Sequence, residues 1–184
     1  MPVRQKWLRL TEETNALDYL EKAAWFIQQT EQDLLVWKWV VLSLHSALYG
    51  FAICACKGTS YKNVTKKTKH GKDHLINCDE ALKRCRVVFS ESQKDSMRRL
   101  NKDLRNNMEH YVPSGWSIEV HGMPVIAIDV LDVIRFLALE TRTFNQAQIK
   151  GIKSYVFQSK RFLEKTKLYQ ESMETKTVYH AAST

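Results

Sequence analysis

From Leu34 to Cys56 the chain reads LLVWKWVVLSLHSALYGFAICAC, an apolar run with no acidic residue and no proline. As a helix it is long enough to cross a bilayer, and as a core helix it needs apolar neighbours on every side. Lys38, Ser43, His45, Ser46 and Tyr49 interrupt it. Polar groups at that density suit a helix wrapped by protein better than a lone span. The expectation is therefore the central helix of a bundle, with no membrane partner. The opening MPVRQKWLRLTEET lacks the apolar segment of a signal peptide, so the expected location is cytoplasmic.

What surrounds that helix should be helical too, because 6 Gly and 3 Pro among 184 residues leave few tight turns. The expected class is all-α, a single helical domain over residues 1–172 and a polar, disordered tail over 173–184. Leu17, Leu20, Ala24 and Ile27 stripe a first helix over about 15–29. Thr30-Glu31-Gln32-Asp33 reads as a capping-box start for the long helix, and Gly58 as its left-handed stop. Lys57 to Lys72 holds six lysines and no acid, and reads as an exposed, mobile loop. Leu75, Cys78, Leu82, Cys85 and Phe89 stripe the next helix. Met97, Leu100, Leu104, Met108 and Tyr111 stripe another over Ser92 to Tyr111, bounded by Pro113. The weakly alternating PSGWSIEVHGMPVIAI predicts a short irregular or hairpin connection near 113–128. Asp129, with Asp132 three residues on, is a candidate cap for a helix carrying Val130, Leu131, Ile134 and Leu137. Ile149, Ile152, Val156 and Leu163 stripe the last helix, over about 145–170.

Several residues that carry chemistry elsewhere read as structural here. The 4 cysteines show no secreted-scaffold spacing, and Cys78 and Cys85 fall on core positions. His70, His74 and Cys78 make a thin metal candidate, with no CxxC pair in support, so no metal and no cofactor are expected. His45, halfway along the apolar helix, reads as a hydrogen-bonded core histidine. Trp25, Trp37 and Trp39 read as core and interface bulk.

The formal charge is +8, which suits a polyanionic partner such as nucleic acid or an anionic membrane surface. Lys66, Lys67 and Lys69 in the lysine-rich loop, with Arg98, Arg99 and Lys102 off the apolar stripe, are the candidate phosphate contacts. A merely solvated face is the alternative. One turn further on comes Arg105-Asn106-Asn107-Met108-Glu109-His110. At about 100° per residue, Asn106 and His110 share a face away from the stripe, with Arg105 flanking them. A histidine titrating near neutrality can move a proton at a ribose hydroxyl or a leaving oxygen. An arginine can grip the phosphate and offset charge in the transition state. Asn106 can orient the imidazole. One histidine cannot serve both sides of a phosphorus, whereas two copies about a two-fold axis can.

Arg105-Asn106-x-x-x-His110 near the end of a helix, in a short helical chain, resembles the HEPN superfamily, whose signature is an arginine and, after four to six residues, a histidine. The motif-level likeness covers about Ser92 to Leu139, and elsewhere it is one of architecture. The resemblance implies a helical bundle and metal-independent RNA cleavage at a composite site between two copies. Arg105 and His110 are the implied catalytic residues, and Asn106 the supporting one. It also implies an acidic residue on the preceding long helix, for which Glu31 and Asp33 are the candidates. Two functions follow. One is an endoribonuclease working as a homodimer, of the toxin or antiphage-effector kind, with a cognate antitoxin or regulatory protein. The other is a non-catalytic helical module that binds RNA or protein.

Overall fold

The computed structural model describes residues 6–85, 87–110, 115–140 and 143–181, with side chains as far as residue 174. In chain order come α1 (Glu12–Ile27), α2 (Val36–Lys57), a short 3₁₀ turn, β1 (Thr65–Lys67), β2 (Asp73–Leu75) and α3 (Cys78–Arg84). Then follow α4 (Glu91–Arg98), a π-helical segment (Arg99–Arg105), α5 (Asn106–Glu109), α6 (Met123–Glu140), α7 (Gln146–Leu163) and α8 (Lys167–Ala181). The fold is mostly helical, as the scarcity of turn residues requires. α1 packs on α2, α2 on α6, α6 on α7, and α7 back on α1, so these four helices close a ring around one core. The α4–π–α5 rod lies outside the ring against α6 and α2.

The long apolar run forms one side of that ring, packed against α1 and α6 within it and against α3 and the π-helical segment outside it. Trp37, Leu44, Leu48 and Phe51 of α2 are buried against Leu20 and Ile27 of α1, Ile134 and Leu137 of α6, and Ile152 and Leu163 of α7. On length and composition α2 could cross a membrane, yet most of its apolar residues are covered by other helices of this chain. Its approach to α1 is close enough to demand glycine, since a Cβ on Gly50 would sit 2.8 Å from the Cβ of Ala16. Swapping in a larger residue there forces the helices apart, at a typical cost of about 1–3 kcal/mol.

Local signals explain most helix ends. Thr11, Ser90 and Asn145 close capping boxes onto α1, α4 and α7, and Asn77 caps α3. Gly58 ends α2 with φ +52 and ψ −127, a positive-φ conformation that favours glycine but lies outside the left-handed helical region expected of it. α2, however, starts at Val36 without a side-chain cap, and Asp33 instead accepts the Leu35 N–H at 2.8 Å.

Three expectations need correction. The hairpin lies in the lysine-rich stretch, where Thr65, Lys66 and Lys67 pair with Leu75, His74 and Asp73. The connection expected near 113–128 takes its irregular form over 115–122, with no strand among the described residues, and residues 111–114 lie outside them. α6 instead begins at Met123, because a proline in a helix's first turn lacks only a donor that would be unpaired anyway. Asp129 is therefore no cap. It sits mid-helix and accepts the hydroxyls of Ser92 at 2.7 Å and Ser96 at 2.6 Å, tying α4 to α6. Finally, the stretch from Met173 onward continues as α8 to Ala181. The Ser172 hydroxyl, donating to the His121 carbonyl, anchors that helix to the connection before α6.

Candidate functional site

A cavity of about 650 Å³ opens where the π-helical segment passes α2 and the hairpin. Arg105 and Asn106 line it from the rod, His45 and Tyr49 from α2, His74 from β2, and Asp79 from α3. The local fold supplies this gathering. Tyr49 donates to the Ile76 carbonyl and pins the hairpin's exit to α2. The Cys56 thiol donates to the Ala81 carbonyl at 3.0 Å and holds α3 alongside.

Its floor is a chain of polar groups. Asn101 Nδ2 donates to Asp79 Oδ1 at 2.7 Å, and a carboxylate can only accept, so the Asn101 oxygen must face the other way. That oxygen lies 3.0 Å from His45 Nε2, which therefore carries the proton and donates. Burial pushes the His45 pKa down, and the nearby Arg105 cation adds to the effect. The Asn101 bond and the charges of Glu109 and Asp79 oppose it. A histidine biased this way is a neutral, oriented donor. The core-histidine reading of His45 holds, with its position in the cavity wall added.

Arg105 stands over this floor with 30% of its side chain exposed. Its Nη2 meets Glu109 Oε2 at 2.5 Å, and its Nη1 donates to Asn106 Oδ1 at 3.1 Å. Its Nε is buried without a partner. Glu109 thus neutralises the cation that a phosphate would need, and an incoming anion must compete with it.

His110 is placed differently. It caps α5 with φ −130 and ψ 55, outside the helical region. The face it was expected to share with Asn106 ends one residue too soon. Its side chain is 74% exposed, does not line the cavity, and comes within 3.8 Å of Glu109 Oε2. Arg105 and Asn106 are brought together in the cavity wall; His110 stands beside them, facing out.

The six candidate phosphate contacts scatter. Lys66 faces His74 across the hairpin, with Lys67 next to it and Lys69 in the turn. Lys102 lines the cavity. Arg98 is held by Asp95 at 2.9 Å and Asp103 at 3.1 Å. Arg99 turns to the opposite side of the rod, its guanidinium against Gly122. Glu31 and Asp33 lie in the α1–α2 turn and do not line the cavity, where Asp79 and Glu109 are the acids at hand. His70, His74 and Cys78 are not gathered, since among the described residues no group of three or more His, Cys, Asp or Glu could hold a metal. Trp37 is buried, while Trp25 and Trp39 are 59% and 49% exposed, flanking Phe26 at one end of the α1–α2 pair.

No family model, curated protein or solved structure gives a significant match to this chain. Its site must be read from its own residues. Sequence reasoning missed Asp79, Asn101 and the cavity role of His45, which lie 22 and 56 positions apart along the chain. It also missed the outer face of α7, where Lys153, Phe157 and Arg161 recur every four residues and are all exposed.

Proposed function

We propose that this chain is a metal-independent endoribonuclease of the kind its resemblance to the HEPN superfamily implies, acting in the cytoplasm as a homodimer. Arg105 and Lys102 hold the scissile phosphate at the cavity mouth. His110 moves the proton. In the reaction the 2′-oxygen loses its proton to a histidine and bonds to phosphorus, the P–O5′ bond breaks, and the 5′-oxygen takes up a proton. A 2′,3′-cyclic phosphate and a 5′-hydroxyl remain. The observation that carries this reading is the division of the motif. Arg105 faces into a solvent-open cavity while His110, five residues on, stands exposed at a helix end beside Glu109. A two-fold related copy supplies the second histidine.

Purified wild-type protein should cleave single-stranded RNA in EDTA between about pH 6 and 8, the range in which a histidine changes charge. His110→Ala should slow cleavage by roughly two to four orders of magnitude, with the melting temperature unchanged because the side chain is exposed. Arg105→Lys should restore only part of what Arg105→Ala removes, since lysine lacks the bidentate fork. Absence of cleavage by the wild-type dimer, or a melting temperature that drops sharply in His110→Ala, removes the enzyme reading.

A second reading, a non-catalytic RNA- or protein-binding module, has one observation in its favour. The Arg105 guanidinium is already engaged by Glu109 and Asn106. RNA binding without any cleavage product would select it.

A further inference from the structure

The Arg105 cavity is not isolated. It shares Asp79 and Lys102 with a second depression of about 350 Å³ on the same side of the rod. That one shares Val87 and Phe89 with a third, of about 380 Å³. The third shares Asp132, Arg135 and Lys160 with a groove of about 670 Å³ between α6 and α7. These adjoining depressions mark out a surface channel from the motif to the α6–α7 groove, with the shared side chains as the ridges between them.

The far end differs in character. Lys160 is held by Asp132 at 2.6 Å, but Arg135, Lys153 and Arg161 have no ion-pair partner among the described residues. All three are exposed. Asp132 and Glu164 also line the groove, so four cations face two carboxylates there and the groove stays net positive, which raises the local concentration of a polyanion. Two aromatic rings accompany them: Phe157, 64% exposed, lines the α6–α7 groove, and Phe136, 45% exposed, lines the depression next to it. Phe157 sits one turn from both Lys153 and Arg161 on α7, so ring and charges share a face. A solvated lysine face does not require exposed phenylalanines. Cations tracking a backbone with rings for the bases are the features of single-strand recognition, because a duplex hides its base faces.

We propose that this channel is a binding track for single-stranded RNA, running from the Arg105 cavity to a docking end formed by Arg135, Lys153, Arg161 and Phe157. The track rests on the reading that the chain acts on RNA, and it names the substrate as an unpaired strand long enough to occupy both ends. A strand that fills only the cavity meets a single unpaired cation, Lys102, and neither phenylalanine ring, and so binds weakly.

The test uses full-length protein carrying His110→Ala, so that RNA survives the measurement. Fluorescent single-stranded oligonucleotides of about 5 and about 20 nucleotides and a 20-base-pair RNA duplex are titrated by anisotropy over a range of salt. The long strand should bind at least tenfold more tightly than the short one, with a salt slope near 0.7 per phosphate contacted. Lys153→Glu with Arg161→Glu should erase most of the length advantage, and Phe157→Ala should cost about fivefold or more on the long strand alone. All three positions are exposed, and unchanged circular dichroism checks the fold. Unaltered long-strand affinity in these variants overturns the track. So does equal binding of duplex with Phe157→Ala silent, which marks a plain electrostatic patch. Groove-dependent binding of polyglutamate but not RNA also overturns it, assigning the groove to an acidic protein segment. The two readings fail separately. Wild-type protein that binds RNA through the groove but never cleaves it keeps the track and loses the nuclease. Cleavage with silent groove variants does the reverse.

Discussion

The Arg105 cavity and the α6–α7 groove both collect cations, and they treat them in opposite ways. In the cavity the partly buried charges have counterparts, since Arg105 has Glu109 and Asp79 has the Asn101 amide that also holds His45, and only the exposed Lys102 at the rim has no ion-pair partner among the described residues. In the groove Arg135, Lys153 and Arg161 have none among the described residues. A compensated, partly buried network fixes geometry and contributes to the fold. An uncompensated, exposed set contributes almost nothing to the fold and is available to a ligand. The net charge of +8 therefore says little about where a polyanion would sit, because a large share of the cations near the motif is already neutralised.

The largest effect that would break this contrast is on stability. Asn101→Leu strands the His45 N–H and removes a donor from Asp79, and should cost roughly 1–3 kcal/mol in denaturant unfolding. A neutral result would show that the cavity floor is not structural. Acidity should produce a smaller change. The folded chain keeps His45 neutral with its pKa lowered below the ordinary 6.5, whereas the unfolded chain protonates it near that value. Its contribution is thus complete above pH 6.5 and is lost as the pH falls from there toward the folded pKa. Unfolding curves of wild type and His45→Gln should converge across that window; parallel curves would mean that His45 is not held neutral. The smallest effect belongs to the groove. Lys153→Ser and Arg161→Ser should leave stability within about 0.5 kcal/mol, as exposed positions without partners do. Destabilisation there as large as at Asn101 would erase the distinction between the two regions.

What the sequence makes legible follows from the range of each signal. Met97, Leu100, Leu104 and Met108 are all buried, as their spacing requires, because one helix face needs only local information. The capping residues Ser90 and Asn145 belong to the same class. Asp129 misleads: nothing local distinguishes a cap from a mid-helix acceptor whose two serine donors lie 37 and 33 residues away. Thr65–Lys67 and Asp73–Leu75 pair despite their lysines, because strand pairing needs a partner at the right turn length and not an apolar stripe. At the site, Arg105 and Asn106 were visible as a motif. His45, Asn101 and Asp79 come from three separate elements and become a group only through packing.

The π-helical segment has a consequence for how this site could change over generations. Such a segment behaves as an α-helix holding a surplus residue, and it needs no particular sequence to form. Deleting one exposed residue between Arg99 and Arg105, Lys102 or Asp103 for instance, would let the rod relax to ordinary α-helix. Because the looser π winding absorbs the surplus residue, its loss would leave the buried stripe in register on both sides, Met97 and Leu100 before it and Leu104 and Met108 after it. Arg105 and Asn106 would stay in the cavity wall, with the bundle core untouched. A single-codon loss in this stretch is therefore tolerable, whereas the same loss within α2 or α6 would turn every later residue of that helix by about 100° and carry its apolar face away from the core.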